Sequence, residues 1–147
     1  PLLRFVQKGK GVTNITGEKL YESQLLAAVR HAMEQTTTTA RFVIARADEQ
    51  ASVYRLYVEP EPGPRPSAHS LAERVDTQLQ ALNIEYRAKR ESGRLGALRA
   101  AWLVPGTEQD FKRDSVRAGQ REGQFKVVAL GYRKDCEFDF ERCAERE

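Results

Sequence analysis

Residues 41–58 read RFVIARADEQASVYRLYV. Two apolar runs flank a short polar stretch. From Arg41 to Ala47 the centre of the run is apolar on both sides, so a strand here is expected inside a sheet rather than on its rim. Val53 to Val58, rich in β-branched and aromatic residues, is a second strand. The segment Asp48-Glu49-Gln50-Ala51-Ser52 between them suits a hairpin connection. A hairpin of this kind needs cover, and the flanking sequence is read for what supplies it.

Upstream, the period changes to helical from Tyr21. Leu25, Leu26, Val29 and Met33 share one face with Ala28 and Ala32 beside them. Glu22 falls in the first turn, where a helix N-terminus favours negative charge, and the run Thr36 to Thr39 ends the helix. Leu3 to Val6 and Gly11 to Ile15 read as short extended pieces about a Lys8-Gly9-Lys10-Gly11 turn. Downstream, Glu59 to Ser67 holds four prolines in nine residues and is expected as an ordered surface loop. Ser67 then caps a helix with Leu71, Val75, Leu79 and Leu82 on one face, and Asn83 stops it or opens the next segment. Residues 84–93 are polar and helix-compatible. Ala97 to Val104 is a strand closed by Pro105-Gly106. Thr107 with Asp110 resembles a capping box that starts a helix to about Ala118, with Phe111 and Val116 facing in. Lys126 to Leu130 forms a last strand, and the charged tail from Lys134 is expected to be loose apart from Phe138 and Phe140. Helices and strands interleave, which predicts an α+β domain with a mixed, largely antiparallel sheet of about four strands flanked by helices.

The chain has 147 residues, 40% of them apolar, and a net charge of +3. That is one domain with enough chain for a core. The mild charge permits an anionic substrate without demanding nucleic acid. No apolar run reaches the roughly 18 residues of a membrane span. The short apolar start at Pro1 is no signal peptide, and a first residue other than Met is expected of a piece from inside a longer protein. Cys136 and Cys143 have no metal-like spacing and suit a free-thiol, cytosolic protein. His31 and His69 read as surface or boundary residues rather than ligands.

Two lysines stand out, one near each end of the chain. Lys19 closes Asn14-Ile15-Thr16-Gly17-Glu18-Lys19, and Lys126 closes Gly119-Gln120-Arg121-Glu122-Gly123-Gln124-Phe125-Lys126. A lysine on a glycine-flexed turn reaches outward as a mobile point charge, which phosphate chemistry uses. The plainer reading is two solvated side chains among 24 basic ones. Glu18 reads as a general base, or as a solvated residue or helix cap. Tyr86, Arg87, Lys89, Arg90 and Arg94 form a basic stretch with one aromatic, suited to nucleic acid or to a solvated helix face. No G-x-x-x-x-G-K-[ST] loop and no G-x-S-x-G elbow is present. By these residues alone, the chain carries no complete active site.

Three segments together carry a resemblance: Pro1 to Lys8 running into Asn14–Lys19, Tyr86 to Leu95 running into a strand and Pro105-Gly106, and Gly119 to Lys126. In order and spacing the chain resembles the C-terminal domain of the auxin-responsive Gretchen-Hagen-three family of acyl-acid amido synthetases, distant members of the firefly-luciferase superfamily. The resemblance implies a two-domain enzyme that activates a carboxylic acid with ATP, Mg2+ assisting, and conjugates it to an amino acid in the cytoplasm. It implies that an N-terminal adenylation domain carries most of the nucleotide and acyl sites, with residues 1–20 as hinge and first strands and 21–147 as the mobile domain. Lys19 then contacts the nucleotide phosphate, Lys126 enters the site for adenylation, and Gly9, Gly11 and Gly17 absorb the hinge motion. Plant members read Gln-Tyr-Lys-Thr-Pro-Arg around the second lysine, whereas this chain reads Gln-Phe-Lys-Val-Val-Ala. The alternative from the residues alone is a free-standing basic module that binds RNA or an acidic protein.

Overall fold

The structure, a computed structural model, describes residues 11–117 and 128–146. Their order is β1 (Val12–Thr13), β2 (Leu20–Tyr21), α1 (Glu22–Gln35), β3 (Ala40–Asp48), β4 (Val53–Pro60), α2 (Ala68–Leu82), α3 (Ile84–Ser92), β5 (Arg99–Trp102), α4 (Thr107–Arg117) and β6 (Leu130–Tyr132). Two 3-10 turns follow, at Arg133–Asp135 and Glu141–Cys143. The main sheet has the order β5-β4-β3-β6, and β1 and β2 form a small antiparallel ladder of their own. This is the α+β architecture with a mixed four-stranded sheet. The expected hairpin is its centre: β3 and β4 pair antiparallel, and β5 and β6 are added outside them in parallel. The sequence pointed to a more antiparallel sheet. β4 and β5 are joined through α2 and α3, a connection long enough for a parallel crossover.

β4 runs through Glu59 to Pro60, past the expected end at Val58. Pro60 sits opposite Ala40, where the register shifts between Ala40 and Phe42, so the proline ends the ladder instead of interrupting it. The rest of the proline-rich loop is ordered, as expected. Trp102 Nε1 donates to Pro66 O at 2.9 Å, and the Arg65 guanidinium lies 5.3 Å from the Trp102 ring centre.

The sheet is covered on both faces. On one, Leu25, Ala28, Val29 and Met33 of α1 and Leu71, Val75 and Leu79 of α2 pack with Ala45, Ala47, Tyr54, Leu56 and Val58. The helical spacing is honoured except at Leu26 and Leu82, which are exposed; Leu82 is the last residue of α2, where Asn83 turns the chain away. On the other face lie Phe42, Ile44, Tyr57, Leu103 and Phe140, with Phe111, Phe138, Cys136 and Cys143 against them. Phe111, Phe138 and Phe140 form a mutual cluster with ring centres 4.8–5.5 Å apart. The C-terminal tail is therefore not loose. Val104 N donates to Cys143 O at 2.9 Å and Glu145 N to Trp102 O at 2.7 Å, while Glu141 pairs with Arg55 and Glu145 with Arg65. A hairpin apolar on both sides requires a second cover, and the tail's phenylalanines supply part of it.

Two helix caps lie where the sequence places them, and a third helix start is capped from elsewhere in the fold. Ser67 Oγ accepts from Ser70 N at 3.1 Å, capping α2. Asn83 both ends α2, its N–H bonded to Leu79 O, and caps α3, its Oδ1 accepting from Tyr86 N at 2.9 Å. At α4, Thr107 is already helical and its hydroxyl donates to Val104 O. The buried carboxylate of Glu59, at the end of β4, instead accepts from Gly106 N at 3.1 Å and Glu108 N at 2.8 Å. A carboxylate reaching across the fold thus satisfies amides that a helix start leaves open.

α3 is fastened to α2 by a second buried carboxylate. Asp76 accepts from Arg90 Nε at 3.0 Å, Tyr86 Oη at 2.5 Å and Gln80 Nε2 at 2.8 Å. Burial alone would raise its pKa, but Arg90, Tyr86 and Gln80 hold it below the usual 3.8. Asp76→Ala would leave a buried phenol and a half-buried guanidinium without their acceptor, and it should cost about 3 kcal/mol in urea unfolding. Arg87→Ala, in an exposed pair with Glu91, should change stability by less than about 0.5 kcal/mol. Because the folded-state pKa of Asp76 is depressed, its contribution is full above the unfolded value and lost as pH falls through the folded one. Melting curves of wild type and Asp76→Asn should therefore converge as the pH drops below 3.8.

Candidate functional site

The segment from Gly11 to Glu22 is built around one carboxylate. Glu18 is fully buried and accepts from Tyr54 Oη at 2.6 Å, Ile15 N at 2.8 Å, Thr16 N at 3.0 Å and Thr16 Oγ1 at 2.7 Å. The Thr13 hydroxyl shares the same phenol at 3.0 Å. Gly17 completes the turn at φ +120°, its N–H donating to Asn14 Oδ1 at 2.7 Å, and a Cβ there would meet the Lys89 side chain at 2.9 Å. Burial would push the Glu18 carboxyl up, yet the Tyr54 hydroxyl and the bonds from Ile15 and Thr16 hold it below 4.5. The expectations of a general base, a solvated residue or a helix cap all fail here. The group is a saturated acceptor without solvent access, and it pins a loop to β4.

Lys19 emerges from this pinned turn with an exposed side chain. Its backbone is held on both sides: its N–H donates to Glu85 Oε1 at 3.2 Å and its carbonyl accepts from Asn83 Nδ2 at 2.6 Å. Asn83 also donates to Gln24 Oε1 at 2.9 Å. The cap of α3 is thereby the bracket of the lysine. A compact ammonium on a rigid base is suited to meeting an anion presented by another surface.

Lys126 and Gly9 lie outside the described residues, as do the first motif up to Lys10 and the whole of the third. The residues that follow the third motif, from 128 on, are described. Ala129 N donates to the Glu22 carboxylate. Glu22 N in turn donates to Gly11 O at 2.7 Å, and Asn14 N donates to Tyr132 Oη at 2.9 Å. Chain segments more than a hundred residues apart thus share one edge of the molecule, beside β6. Glu22, Asn83 and Tyr132 were not recognised in this role. Glu22 and Asn83 carried only local helix-end signals, and nothing in their spacing points to partners so distant.

The basic stretch does not form one surface. Tyr86 is fully buried and Arg90 is paired with Asp76, so only Arg87 and Arg94 are fully outward, with Lys89 half-buried against the Gly17 turn. The stretch therefore offers no aromatic for stacking on a base. His31 and His69 are exposed, His69 beside Glu73. Among the described residues, no group of His, Cys, Asp and Glu could hold a metal ion, and no helix is long and apolar enough to cross a membrane. Cys136 and Cys143 are free thiols, half-buried in the second-face aromatic cluster. A cleft of about 520 Å³ lies on that second face, lined by Arg46, Tyr57, Arg133 and Lys134 together with Asp48, Glu49, Glu137, Asp139 and Glu141. Its acids outnumber its bases, and no residue of the Lys19 turn lines it.

Comparison with known proteins bears on the family and the fold. Residues 23–131 match the GH3 family C-terminal domain. The fold is shared with two solved structures. The first is GH3.15 acyl acid amido synthetase, with a TM-score of 0.75 at 22% identity, covering 93% of this chain and 27% of that one. The second is AtGH3.15 acyl acid amido synthetase in complex with 2,4-DB, with a TM-score of 0.77 at 20% identity, covering 93% and 26%. This chain thus spans about a quarter of the length of those proteins. No curated protein matches the sequence. The family match covers well over half of the chain, through α1, the central hairpin and the crossover helices to β6: the chain belongs to the GH3 family and carries its C-terminal domain.

Proposed function

We propose that this chain is the C-terminal part of an ATP-dependent acyl-acid amido synthetase, which adenylates a carboxylic acid and conjugates it to an amino acid in the cytoplasm. The observation that carries the reading is the match of residues 23–131 to the GH3 family C-terminal domain. The exposed Lys19 on its pinned turn supports it. In this reading the N-terminal adenylation domain holds most of the acyl site, ATP and Mg2+, and this chain supplies ammonium groups from Lys19 and Lys126. Gly9 and Gly11 are the pivot, ahead of the turn that Glu18 fastens to β4, and Gly17 gives that turn its left-handed geometry.

The physics of the role is specific. As a carboxylate attacks the α-phosphate and pyrophosphate leaves, negative charge accumulates at phosphorus oxygens. An ammonium brought there interacts more strongly with the transition state than with the ground state, which is the condition for acceleration. Carried on a mobile domain, it is withdrawn afterwards and leaves room for the amine.

Three outcomes are expected. The isolated chain should show no ATP–pyrophosphate exchange with any carboxylic acid; measurable exchange would refute a site split between two domains. In the full-length enzyme, Lys126→Ala should slow acyl-adenylate formation about a hundred- to a thousandfold, the effect of removing one positioned charge. Amide formation from supplied acyl-adenylate should hardly change. If exchange survives intact, the role of Lys126 is wrong. The third outcome separates Lys19 from Glu18. Lys19→Ala should lower the exchange rate while moving stability by less than about 0.5 kcal/mol. Glu18→Ala should instead cost about 2–3 kcal/mol of stability, since it leaves the Tyr54 hydroxyl and two amides without their acceptor. Its specific activity per folded molecule should fall no further than that of Lys19→Ala. A larger rate loss would restore Glu18 as a chemical participant.

A further inference from the structure

We propose that the apolar surface made by Tyr21, Leu82 and Ile84 around Lys19 is the face on which the larger N-terminal part of the same enzyme docks; this rests on the two-domain reading above. Among the described residues five large apolar side chains are exposed, and three of them are these, at 44%, 45% and 82%. They are carried by three segments that one hydrogen-bonded network ties together. Gln24 Oε1 accepts from Tyr21 N at 3.2 Å and from Asn83 Nδ2, its Nε2 donates to Leu82 O at 3.4 Å, and Asn83 Nδ2 also donates to Lys19 O. The apolar residues are therefore presented on a stiff base, beside the polar groups Lys19 and Glu85, in the pattern of an interface core with a charged rim.

The fold itself gives no use for Ile84. It is the first residue of α3, where a β-branched side chain is a poor helix former, and the work of starting that helix falls to Asn83 and that of anchoring it to Tyr86. An isoleucine four-fifths exposed, on a segment bonded to those that carry the exposed Leu82 and Tyr21, marks a surface meant for cover. The occupant follows from length. This chain covers only 26–27% of the solved proteins whose fold it shares, so in such a protein roughly three quarters of the chain lies outside it. Docking at this face also carries Lys19 onto that larger part, as its proposed contact with the nucleotide requires.

Hydroxyl-radical footprinting of the full-length protein tests this, with Val104, 41% exposed two residues beyond β5, as internal reference. After correction for intrinsic side-chain reactivity, Leu82 and Ile84 should label less than Val104, although both are more exposed in this chain. Ile84 labelling at or above the level of Val104 overturns the proposal. Protection that rises with protein concentration assigns the face to a second copy and overturns it as well. Ile84→Asp should raise the labelling of Leu82 and Tyr21 with no shift in melting temperature; unchanged labelling would also overturn it. Pyrophosphate exchange reads the enzymatic assignment separately. A protected face in a protein that no carboxylic acid drives into exchange supports the docking face and removes the ligase reading. Exchange with Ile84 fully labelled removes the docking face and leaves the ligase reading standing.

Discussion

The antiparallel ladder of β3 and β4 is apolar on both faces, and the remaining elements are arranged to keep water from each side. Val43, Ala45 and Ala47 face α1 and α2 with Tyr54, Leu56 and Val58, whereas Phe42, Ile44 and Tyr57 face the other way. Burying only one face would leave several large side chains in water, each worth about 1.5–3 kcal/mol of transfer free energy. The chain meets this demand with three helices on one side and, on the other, α4 and a C-terminal segment that contributes Phe138 and Phe140. The tail looks charged and unstructured in composition, yet its alternating phenylalanines serve the second cover.

Connections around this sandwich are secured by buried carboxylates rather than by apolar contact alone. Glu18 fastens the Lys19 turn to β4, Asp76 holds α3 to α2, and Glu59 caps α4 from the end of β4. Asp48 anchors the hairpin end, accepting from Arg55 Nε at 3.0 Å and Ala51 N at 3.1 Å. In each case several donors, most of them from turns or other elements, converge on the acceptor. A carboxylate out of water is tolerated on those terms only, and losing its donors would make it a liability. The consequence is a rigid base beneath Lys19, whose side chain is exposed.

The Glu22 contact with Ala129 and the Asn14 contact with Tyr132 add a second consequence. The segment leading to α1 and the segment entering β6 meet at one sheet edge. Tyr21, Leu82 and Ile84 lie beside it on a base braced by Gln24 and Asn83, which places the exposed apolar residues and the exposed lysine on the same side of the domain.

Much of this architecture was legible in the residues. The hairpin, the stripes of α1 and α2, and the caps at Ser67 and Asn83 all rest on signals within a few positions: alternation, the helical period and side chains that reach amides three residues on. The family resemblance of the two glycine-lysine segments was legible for the same reason, since each is a short contiguous motif. What the tertiary structure alone decided were the long-range partners. Glu18 finds Tyr54 across 36 residues, Glu59 finds Glu108 across 49 and Glu22 finds Ala129 across 107. Tyr86 and Arg90, adjacent to other bases in sequence, turn inward because Asp76 waits one helix away. A carboxylate in a sequence carries the same local signal whether it is solvated, caps a helix or is buried under a phenol. Its role is settled only when packing removes its water and supplies the donors that replace it.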